Sequence, residues 1–194
     1  MRRELTPRGK ERRAQILLRS ADLFAERGYH PTSVADIVAS LGVGKGVFYW
    51  YFPSKEALLC EILRAGHQDL RRRQHEALAA EPDPLRRIEL GIRASIFWFK
   101  EHQHYFRLFQ FAATEEAFAP VLLRNEEVAI ADAVRHIKDA IVEGEIVDAD
   151  PEVLAYAILG VVEQITETYL FERDEPVDRV GDAAVRFCLR GLAG

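Results

Sequence analysis

The fold is decided by residues 32–58, which read TSVADIVASLGVGKGVFYWYFPSKEAL. Thr32 and Ser33 precede a helical pattern, and either hydroxyl can cap that helix by accepting a bond from a free backbone N–H. With Ser33 as the cap, Asp36 takes the third helical position, which is close to a capping box. A tight turn at Gly42 separates this helix from the next one. Two short helices joined by a glycine-containing turn predict a helix-turn-helix.

The helix after this turn, over roughly 44–52, has a packed side and an outward side. Each residue advances about 100° around a helix, so Phe48, Phe52, Gly44 and Tyr51 share one side and predict the packed face. The outward face then carries four residues, with Lys45 at its edge: Gly46, Val47, Tyr49 and Trp50. Exposed aromatic rings on so short a helix are poor for solubility without a partner. The alternative is a plain three-helix bundle whose aromatic residues are all core.

A DNA duplex is a partner that suits this outward face. Tyr49 can hydrogen-bond a phosphate, and Val47 can contact a thymine methyl group. Gly46 permits close approach to a base edge because it has no side chain. The helix is therefore predicted to lie in a major groove.

Charge is divided unevenly along the 194-residue chain. The formal net charge is -5, yet residues 1–55 hold ten Lys/Arg and five Asp/Glu. A basic head on an acidic body favours a polyanion as the partner of the head alone. Within the head, Lys45 and Lys55 can supply charge to the DNA backbone. The helix start at Thr32 and Ser33 presents N–H groups and hydroxyls that favour a phosphate.

The first residues form a basic tail that is opposed only by Glu4 and Glu11. The tail is either an arm that approaches phosphates or the minor groove, or a frayed, solvated terminus. The basic residues in it are Arg2, Arg3, Arg8, Lys10, Arg12 and Arg13.

The string in residues 32–58 closely resembles the DNA-binding domain of the tetracycline-repressor (TetR) family. The resemblance implies a dimer of all-α subunits, each with a three-helix DNA-binding head and a helical ligand-binding body. It also implies that Thr32 or Ser33 binds phosphate at the start of the second helix, and that Trp50 and Lys55 contact the DNA backbone. The positions that it implies for the major groove are Lys45, Gly46, Val47 and Tyr49.

Three positions depart from the commonest family string. Gly44 stands where Ser is usual, Val47 where Thr is frequent, and Trp50 where His is frequent. Because these changes remove polar contacts, the operator sequence is expected to be this protein's own. The full set of predicted DNA-binding positions is Thr32, Ser33, Gly44, Lys45, Gly46, Val47, Tyr49, Trp50 and Lys55.

Helical periodicity continues along the rest of the chain, and no stretch alternates as a half-buried strand would. Glycine and proline divide the pattern into about nine helices, so we predict an all-α fold. The predicted domains are a DNA-binding domain over 1–53 and a ligand-binding and dimerisation domain over 54–194. The longest uncharged stretch is Val153–Val162, whereas a membrane-spanning helix needs about 20 apolar residues. We therefore expect a cytoplasmic protein with no membrane contact.

Cysteine usage agrees with a reducing compartment. Cys60 and Cys188 are the two cysteines, and they form neither a metal-binding spacing nor a disulfide framework. Both are expected to be small buried apolar residues. No metal site or cofactor is predicted.

The body carries a dense aromatic cluster between residues 97 and 111. Core packing explains any single ring, but as a group the rings suggest an apolar effector pocket with a few polar anchors. His102, His104 and Gln110 are possible anchors, although both histidines fall in a predicted turn. The residues predicted to line the pocket are Phe97, Trp98, Tyr105, Phe106, Phe109, Phe111, Glu163 and Gln164.

The last two helices, over about 151–171 and 177–191, resemble the pair that forms the dimer interface in the TetR family. Glu163 lies on an apolar helix and needs a partner. It can orient an effector group, or pair with Arg186 or Arg190 across the interface, and both options stay open. The apolar residues predicted for the interface or the adjoining core are Val161, Ile165, Val180, Val185, Phe187 and Leu189.

These features together predict a transcriptional regulator that binds double-stranded DNA as a homodimer. A repressor is expected, released from a palindromic operator by a small apolar or amphipathic effector such as an acyl chain, its coenzyme A thioester or an aromatic compound. One alternative is an architectural DNA-binding protein without an effector. The other is an enzyme that uses the C-terminal cavity, which the absence of known catalytic motifs disfavours.

Overall fold

The computed structural model describes residues 5–192, and within that range the chain forms nine α-helices and no strand. A short 3₁₀ helix, Glu116–Phe118, precedes α7, and a π-helix, Thr166–Glu172, continues α8. The predicted all-α fold with an N-terminal helix-turn-helix is confirmed. The helices are α1 Pro7–Arg27, α2 Val34–Ser40, α3 Lys45–Tyr51, α4 Lys55–Leu78, α5 Pro84–Glu101, α6 Gln103–Ala113, α7 Ala119–Val142, α8 Pro151–Ile165 and α9 Val177–Leu192.

Polar caps set where several helices begin. The Thr6 hydroxyl accepts a bond from the Gly9 N–H before α1, and the Asp83 carboxylate accepts one from the Arg86 N–H before α5. Asp150 does the same before α8. In each case a proline follows the cap directly, where its missing N–H costs nothing and its fixed φ suits the helix.

The chain packs into two compact units that do not follow chain order. The first, which we call the head unit, comprises the residues up to Gly66 together with His104–Leu122. The second, the body unit, comprises His67–Gln103 and the residues from Leu123 onward. These packing units differ in extent from the functional division predicted at residue 53, which stays a prediction. The difference arises because α6 packs within the head unit.

The head unit has a core built from the inner faces of its first four helices. The predicted packed residues Phe48 and Phe52 are 0% and 1% exposed, respectively. Other side chains that are fully buried in this core are Ile16, Leu23, Ile37, Leu58, Leu59, Ile62 and Leu63. Gly28 ends α1 with a φ of 88°, a conformation that glycine adopts without strain.

The body unit has a core of aliphatic side chains from α5, α7, α8 and α9. Ile96, Ile137, Ala140 and Ala184 are all 0% exposed within it. Aliphatic residues supply this core, whereas the aromatic residues of α5 belong to the body unit and those of α6 to the head unit. Cys188 also lies in this core and Cys60 is half-buried.

One helical stretch of the described chain, Pro151–Glu172, is long and apolar enough by length and composition to cross a membrane. Only 22% of its most apolar window is buried, and the mean hydropathy there is 1.2. Glu163 and Glu167 lie within this stretch, and carboxylates are costly in a bilayer.

Candidate functional site

Local hydrogen bonds fix α2 and the turn at Gly42 that joins α2 to α3. Ser33 and Asp36 form a complete capping box, because the Asp36 N–H donates to the Ser33 hydroxyl and the Ser33 N–H donates to the Asp36 carboxylate. In the turn, Gly42 has a φ of 63°, and the Val43 N–H donates to the Val38 carbonyl at 3.0 Å. α3 then begins after Gly44 and ends before Phe52.

The outward face of α3 is open, as its helical angles predict. Tyr49 and Trp50 are 55% and 67% exposed, while Val47 is half-buried. Lys45 and Gly46 are exposed as well. Gly44 is exposed too, although helical angles predicted it on the packed face, because it caps the helix rather than belonging to its first turn.

Thr32 does not have the free donors that a phosphate contact requires. The residue is 1% exposed, and its hydroxyl donates to the Gly28 carbonyl at 2.8 Å. Its backbone N–H donates to the Tyr29 carbonyl at 3.3 Å. Thr32 therefore stabilises the turn that follows α1, and the phosphate contact predicted for Thr32 or Ser33 stays a prediction. Ser33 is exposed, but the Asp36 carboxylate already occupies the anion position at the start of α2.

Asp36 carries its negative charge over a wide pH range. Hydrogen bonds from the Ser33 hydroxyl and the Ser33 backbone N–H lower the pKa of Asp36 below its usual value. A carboxylate at this point stabilises the start of α2. Its negative charge also repels a DNA phosphate, whereas the phosphate contact predicted at the start of the second helix stays a prediction.

Lys55, whose predicted contact with the DNA backbone stays a prediction, is bound to carbonyl groups of its own chain. Its Nζ donates to the Tyr29 carbonyl at 2.9 Å and to the Thr32 carbonyl at 3.0 Å. The ammonium group lies 4.2 Å from the centre of the Tyr29 ring. Burial lowers the pKa of Lys55 below its usual value. The side chain thus links the start of α4 to the turn before α2.

Tyr29 is the centre of an aromatic cluster that sequence reasoning missed. Its ring lies 5.2 Å from Phe24, 5.3 Å from Phe111 and 5.5 Å from Phe118, measured between ring centres. Burial raises the pKa of the Tyr29 hydroxyl to about 12, with smaller contributions from neighbouring acidic groups. Beside it, His30 contacts the Glu115 carboxylate at 2.9 Å. Tyr29 follows Gly28 in sequence, and only the fold brings Phe111 and Phe118 to it.

The basic tail is only partly described by the structure, because Arg2 and Arg3 lie outside residues 5–192. Arg8 and Lys10 are exposed on α1. Arg13 instead pairs with Glu61 at 2.9 Å and lies over the Phe52 ring at 5.0 Å. Arg13 therefore joins α1 to α4 within the head unit.

The body unit contains an apolar cavity of about 130 Å³ between α4, α5, α7 and α8. Polar side chains line part of its wall. Gln74 donates to the Ser95 hydroxyl at 2.9 Å, and Ser95 donates to the Gly91 carbonyl at 2.8 Å. The apolar lining residues are Leu78, Ile88, Gly91, Ile92, Ala129, Ile130, Ala133, Ile137, Ala155, Ile158, Leu159 and Val162, and the polar ones are Gln74, His75, Arg87, Ser95, Asp132 and His136.

The residues predicted to form an effector pocket do not line this cavity. Trp98 is 1% exposed, and its indole N–H donates to the Asp69 carboxylate at 2.8 Å. His102 stacks on the same ring at 4.6 Å. Of the other predicted pocket residues, Glu163 and Gln164 are exposed. The aromatic ones are buried or half-buried in their own units, and they are Phe97, Tyr105, Phe106, Phe109 and Phe111. Core packing, the alternative considered for each ring, describes them better.

The predicted interface residues also divide into core and surface. Val180 and Val185 are 2% and 7% exposed and belong to the body core, so they present no surface to a second subunit. Val161, Ile165 and Leu189 are half-buried against the same core. Phe187 is 66% exposed on α9, and the exposed large apolar residues of α8 and the π-helix are Val153, Tyr156 and Tyr169.

The side chain of Glu163 is exposed as a whole, but its carboxyl group is partly buried and lies near other carboxylates. Burial raises the pKa of Glu163 above its usual value, and the Glu126 and Glu167 carboxylates raise it further. Its electrostatic neighbours are therefore acidic. The choice between an effector contact and a pair across the interface stays a prediction.

Comparison with known sequences places the helix-turn-helix in a described family. The family described as "Bacterial regulatory proteins, tetR family" matches residues 16–62. The chain is 27% identical to the HTH-type transcriptional activator FasR of Mycolicibacterium smegmatis, over 94% of this chain and 84% of the relative. It is 36% identical to the HTH-type transcriptional repressor KstR2 of Mycobacterium tuberculosis, over 48% of this chain and 46% of the relative.

Solved structures show the same architecture along nearly the whole chain. A TetR-family transcriptional regulator from Syntrophomonas wolfei superimposes with a TM-score of 0.82 at 26% identity, covering 92% of this chain and 93% of that one. A regulator from Saccharomonospora viridis, solved in complex with choline, has a TM-score of 0.82 at 19% identity, covering 95% and 99%. The names of these relatives all describe transcriptional regulators.

Proposed function

The chain belongs to the TetR family of bacterial transcriptional regulators, and we propose that it is a cytoplasmic repressor released from its operator by a small effector. The homodimer binds a palindromic operator, and an apolar or amphipathic molecule enters the cavity of the body unit. Both parts of the proposal rest on surfaces that the described residues form.

The outward face of α3 is the observation that carries the operator part. Tyr49 and Trp50 are more than half exposed, while Phe48 on the opposite side is buried and holds the helix in place. A major groove about 12 Å wide admits such a helix. Lys45 lies at the start of α3, where its ammonium group reaches phosphates beside the groove. Gly44 and Gly46 keep the backbone open to base edges.

A second copy of the chain is needed for two half-sites. The exposed apolar side chains of α8 and α9 and the π-helix between them, including Tyr169 and Phe187, support a helical dimer interface. A two-fold dimer presents its recognition helices about 34 Å apart, one turn of DNA, so the half-sites form a palindrome. Only the exposed residues of this region serve the interface, and Val180 and Val185 belong to the core.

The cavity supports the effector part of the proposal. Its present volume, about 130 Å³, is below the roughly 300–1,000 Å³ of typical small-molecule sites. A larger effector must therefore displace lining helices. One of these helices, α4, begins at Lys55 and supplies Gln74, His75 and Leu78 to the lining. The effector acts only if it binds the displaced state more tightly than the operator-bound state.

The test starts with duplexes selected from a random pool by the full-length protein. Fluorescence anisotropy then measures the affinity for the selected duplex at several salt concentrations. We expect palindromic sequences, binding that weakens steeply with salt, and a loss of at least about tenfold for Tyr49→Ala or Trp50→Ala. Leu18→Ala is the control, since Leu18 is 58% exposed on α1 of the same unit. Equal affinity of all three variants for the duplex would contradict the operator surface.

A promoter carrying the selected duplex upstream of a reporter gene decides the sign of regulation. A repressor lowers reporter expression, and an added effector restores it. One relative that matches over 94% of this chain is called an activator, so activation is the second candidate. Increased reporter expression on addition of the protein would replace repression by activation and leave the operator surface unchanged.

A further inference from the structure

The cavity of the body unit has one buried polar atom without a protein partner in residues 5–192. Nδ1 of His136 is enclosed and forms no hydrogen bond within that range, and His136 belongs to the cavity lining. A buried polar group without a partner is unfavourable. A ligand in the cavity would relieve this cost if it placed a hydrogen-bonding atom against the imidazole.

The surroundings of His136 favour the neutral form of its imidazole. Burial lowers the pKa of His136 below its usual value, and the charges of Arg135 and Arg87 lower it further. Asp139 and Asp132 oppose this shift but contribute less. A neutral imidazole offers one N–H and one lone pair, so it binds a hydroxyl well and provides no charge for a carboxylate.

The charged side chains of the lining are already paired. The Asp132 carboxylate accepts bonds from Arg71 at 2.7 Å and from Arg135 at 2.7 Å. His75, which is mostly exposed, lies 3.5 Å from the same carboxylate. Arg87 donates to the Glu81 carbonyl at 2.7 Å and lies 3.5 Å from Asp139. A charged ligand group would therefore enter apolar surroundings without a counter-ion, which is strongly unfavourable.

The volume of the cavity fits a small ring. About 130 Å³ is close to the roughly 150 Å³ of an engineered apolar cavity that binds benzene. Gly91 lines the cavity and leaves space there, since a Cβ built on it would meet no other described part of the chain within 4 Å. A side chain at residue 91 would accordingly extend into free space, and this gives a means of filling the cavity.

We propose that the cavity takes an uncharged, mainly hydrocarbon ligand whose single hydroxyl oxygen bonds to His136. The proposal rests on the proposed function for the role of the ligand as an effector, but the class of ligand follows from the lining itself. The lining of the cavity disfavours free carboxylates, and it disfavours coenzyme A thioesters whose phosphates would lie in the cavity.

Three probes that share an ethylbenzene core test the proposal: ethylbenzene, 4-ethylphenol and 4-ethylbenzoate. Their affinities for the full-length protein are measured by calorimetry at pH 7.5, where the first two are uncharged. We expect 4-ethylphenol to bind about tenfold more tightly than ethylbenzene, as one added hydrogen bond allows, and 4-ethylbenzoate to bind most weakly. Failure of 4-ethylphenol to bind, or equal binding of the benzoate, would overturn the proposal.

Variants locate the binding and the hydrogen bond. His136→Leu should abolish the preference for 4-ethylphenol over ethylbenzene, because the phenol hydroxyl then has no partner, while His104→Leu, outside the lining, should keep the tenfold preference. Gly91→Leu should abolish binding of all three probes because its side chain fills the cavity. A preference for 4-ethylphenol that survives His136→Leu, or probe binding that survives Gly91→Leu in a folded protein, would refute the assignment.

The operator assay separates this proposal from the proposed function. If 4-ethylphenol binds with the expected dependence on His136 and also weakens operator binding, both stand. If it binds in this manner and leaves operator affinity unchanged, the ligand class stands and the effector role fails. If 4-ethylbenzoate releases the operator and Gly91→Leu abolishes that release, the effector role stands and the ligand class fails.

Discussion

Lys45 and Lys55 lie ten residues apart in the same motif, and their side chains have different surroundings. Lys55 donates to the carbonyls of Tyr29 and Thr32 at 2.9 and 3.0 Å, whereas Lys45 is exposed at the first turn of α3. Methionine preserves much of the length and volume of lysine without its charge. Lys55→Met and Lys45→Met are therefore a matched pair that separates structure from DNA contact.

The expected loss of stability follows from the contacts of Lys55. Hydrogen bonds to charged groups contribute about 1.5–3 kcal/mol each when buried, and the partial exposure of Lys55 places each at or below the low end of that range. Two such bonds and the contact with the Tyr29 ring give a loss of about 2–3 kcal/mol for Lys55→Met. Since each kcal/mol shifts Tm by about 2–4 °C at this chain length, Tm should fall by about 5–10 °C.

Thermal unfolding followed by circular dichroism at fixed protein concentration measures this loss. Lys45→Met should change the free energy of unfolding by no more than about 0.5 kcal/mol, but it should reduce the slope of operator affinity against salt by about one. Lys55→Met should keep that slope, measured at a temperature where it is folded. A Tm for Lys55→Met within 1 °C of the parent, together with a reduced salt slope, would refute the structural role and restore the predicted phosphate contact.

Three further predictions concern other parts of the molecule. Gly91→Ala should raise the free energy of unfolding by about 1 kcal/mol in thermal unfolding, because alanine favours the helix and its methyl group enters free space; an unchanged or lower Tm would contradict this. Gly66→Ala should instead lower stability by roughly 1–2 kcal/mol, since overpacking outweighs helix propensity where the new Cβ would lie 2.4 Å from the Tyr105 ring; a stabilised variant would show that the ring can move. Burial lowers the pKa of His67 to about 4, so the unfolded state binds more protons between that value and about 6.5, and stability should fall by up to roughly 3 kcal/mol as pH falls through this window; urea unfolding from pH 7 to 4.5 should show a smaller fall for His67→Gln, and an identical fall would place the titration elsewhere.

The fold of the head could be predicted because its signals are local. The capping box of Ser33 and Asp36, the glycine turn and the packed positions of Phe48 and Phe52 all depend on residues within one or two turns of each other. The 100° step of a helix then fixes which side Tyr49 and Trp50 occupy. No tertiary information is needed for these inferences.

The roles of Thr32 and Lys55 could not be predicted from position alone. Both are polar residues at places where a DNA contact is reasonable, but the carbonyls that receive their donors belong to the turn after α1. A helix-ending turn has free carbonyl groups whose direction depends on how the chain leaves the helix. A sequence pattern does not specify that direction.

The cavity was missed for a related reason. Aromatic residues attracted the prediction of a pocket, yet large rings fill space well, and Trp98 is fully buried with its own partner in Asp69. The cavity is instead lined by alanine, glycine and aliphatic residues from four helices. Small side chains at Gly91, Ala129 and Ala133 leave volume unfilled, and their spacing in the sequence gives no sign that they meet.

The discontinuous head unit has a consequence for exchanging parts between regulators. Tyr29 is enclosed by Phe111 and Phe118, and His30 contacts Glu115, so the helix-turn-helix borrows part of its support from a later segment of the chain. A chimaera that joins residues 1–53 to the body of another regulator would expose the Tyr29 ring and leave His30 without its contact to Glu115. The module that can be transferred therefore consists of two segments, the segment that ends at Gly66 and His104–Leu122. Recombination that keeps only the first segment would remove the side chains that pack against the helix-turn-helix.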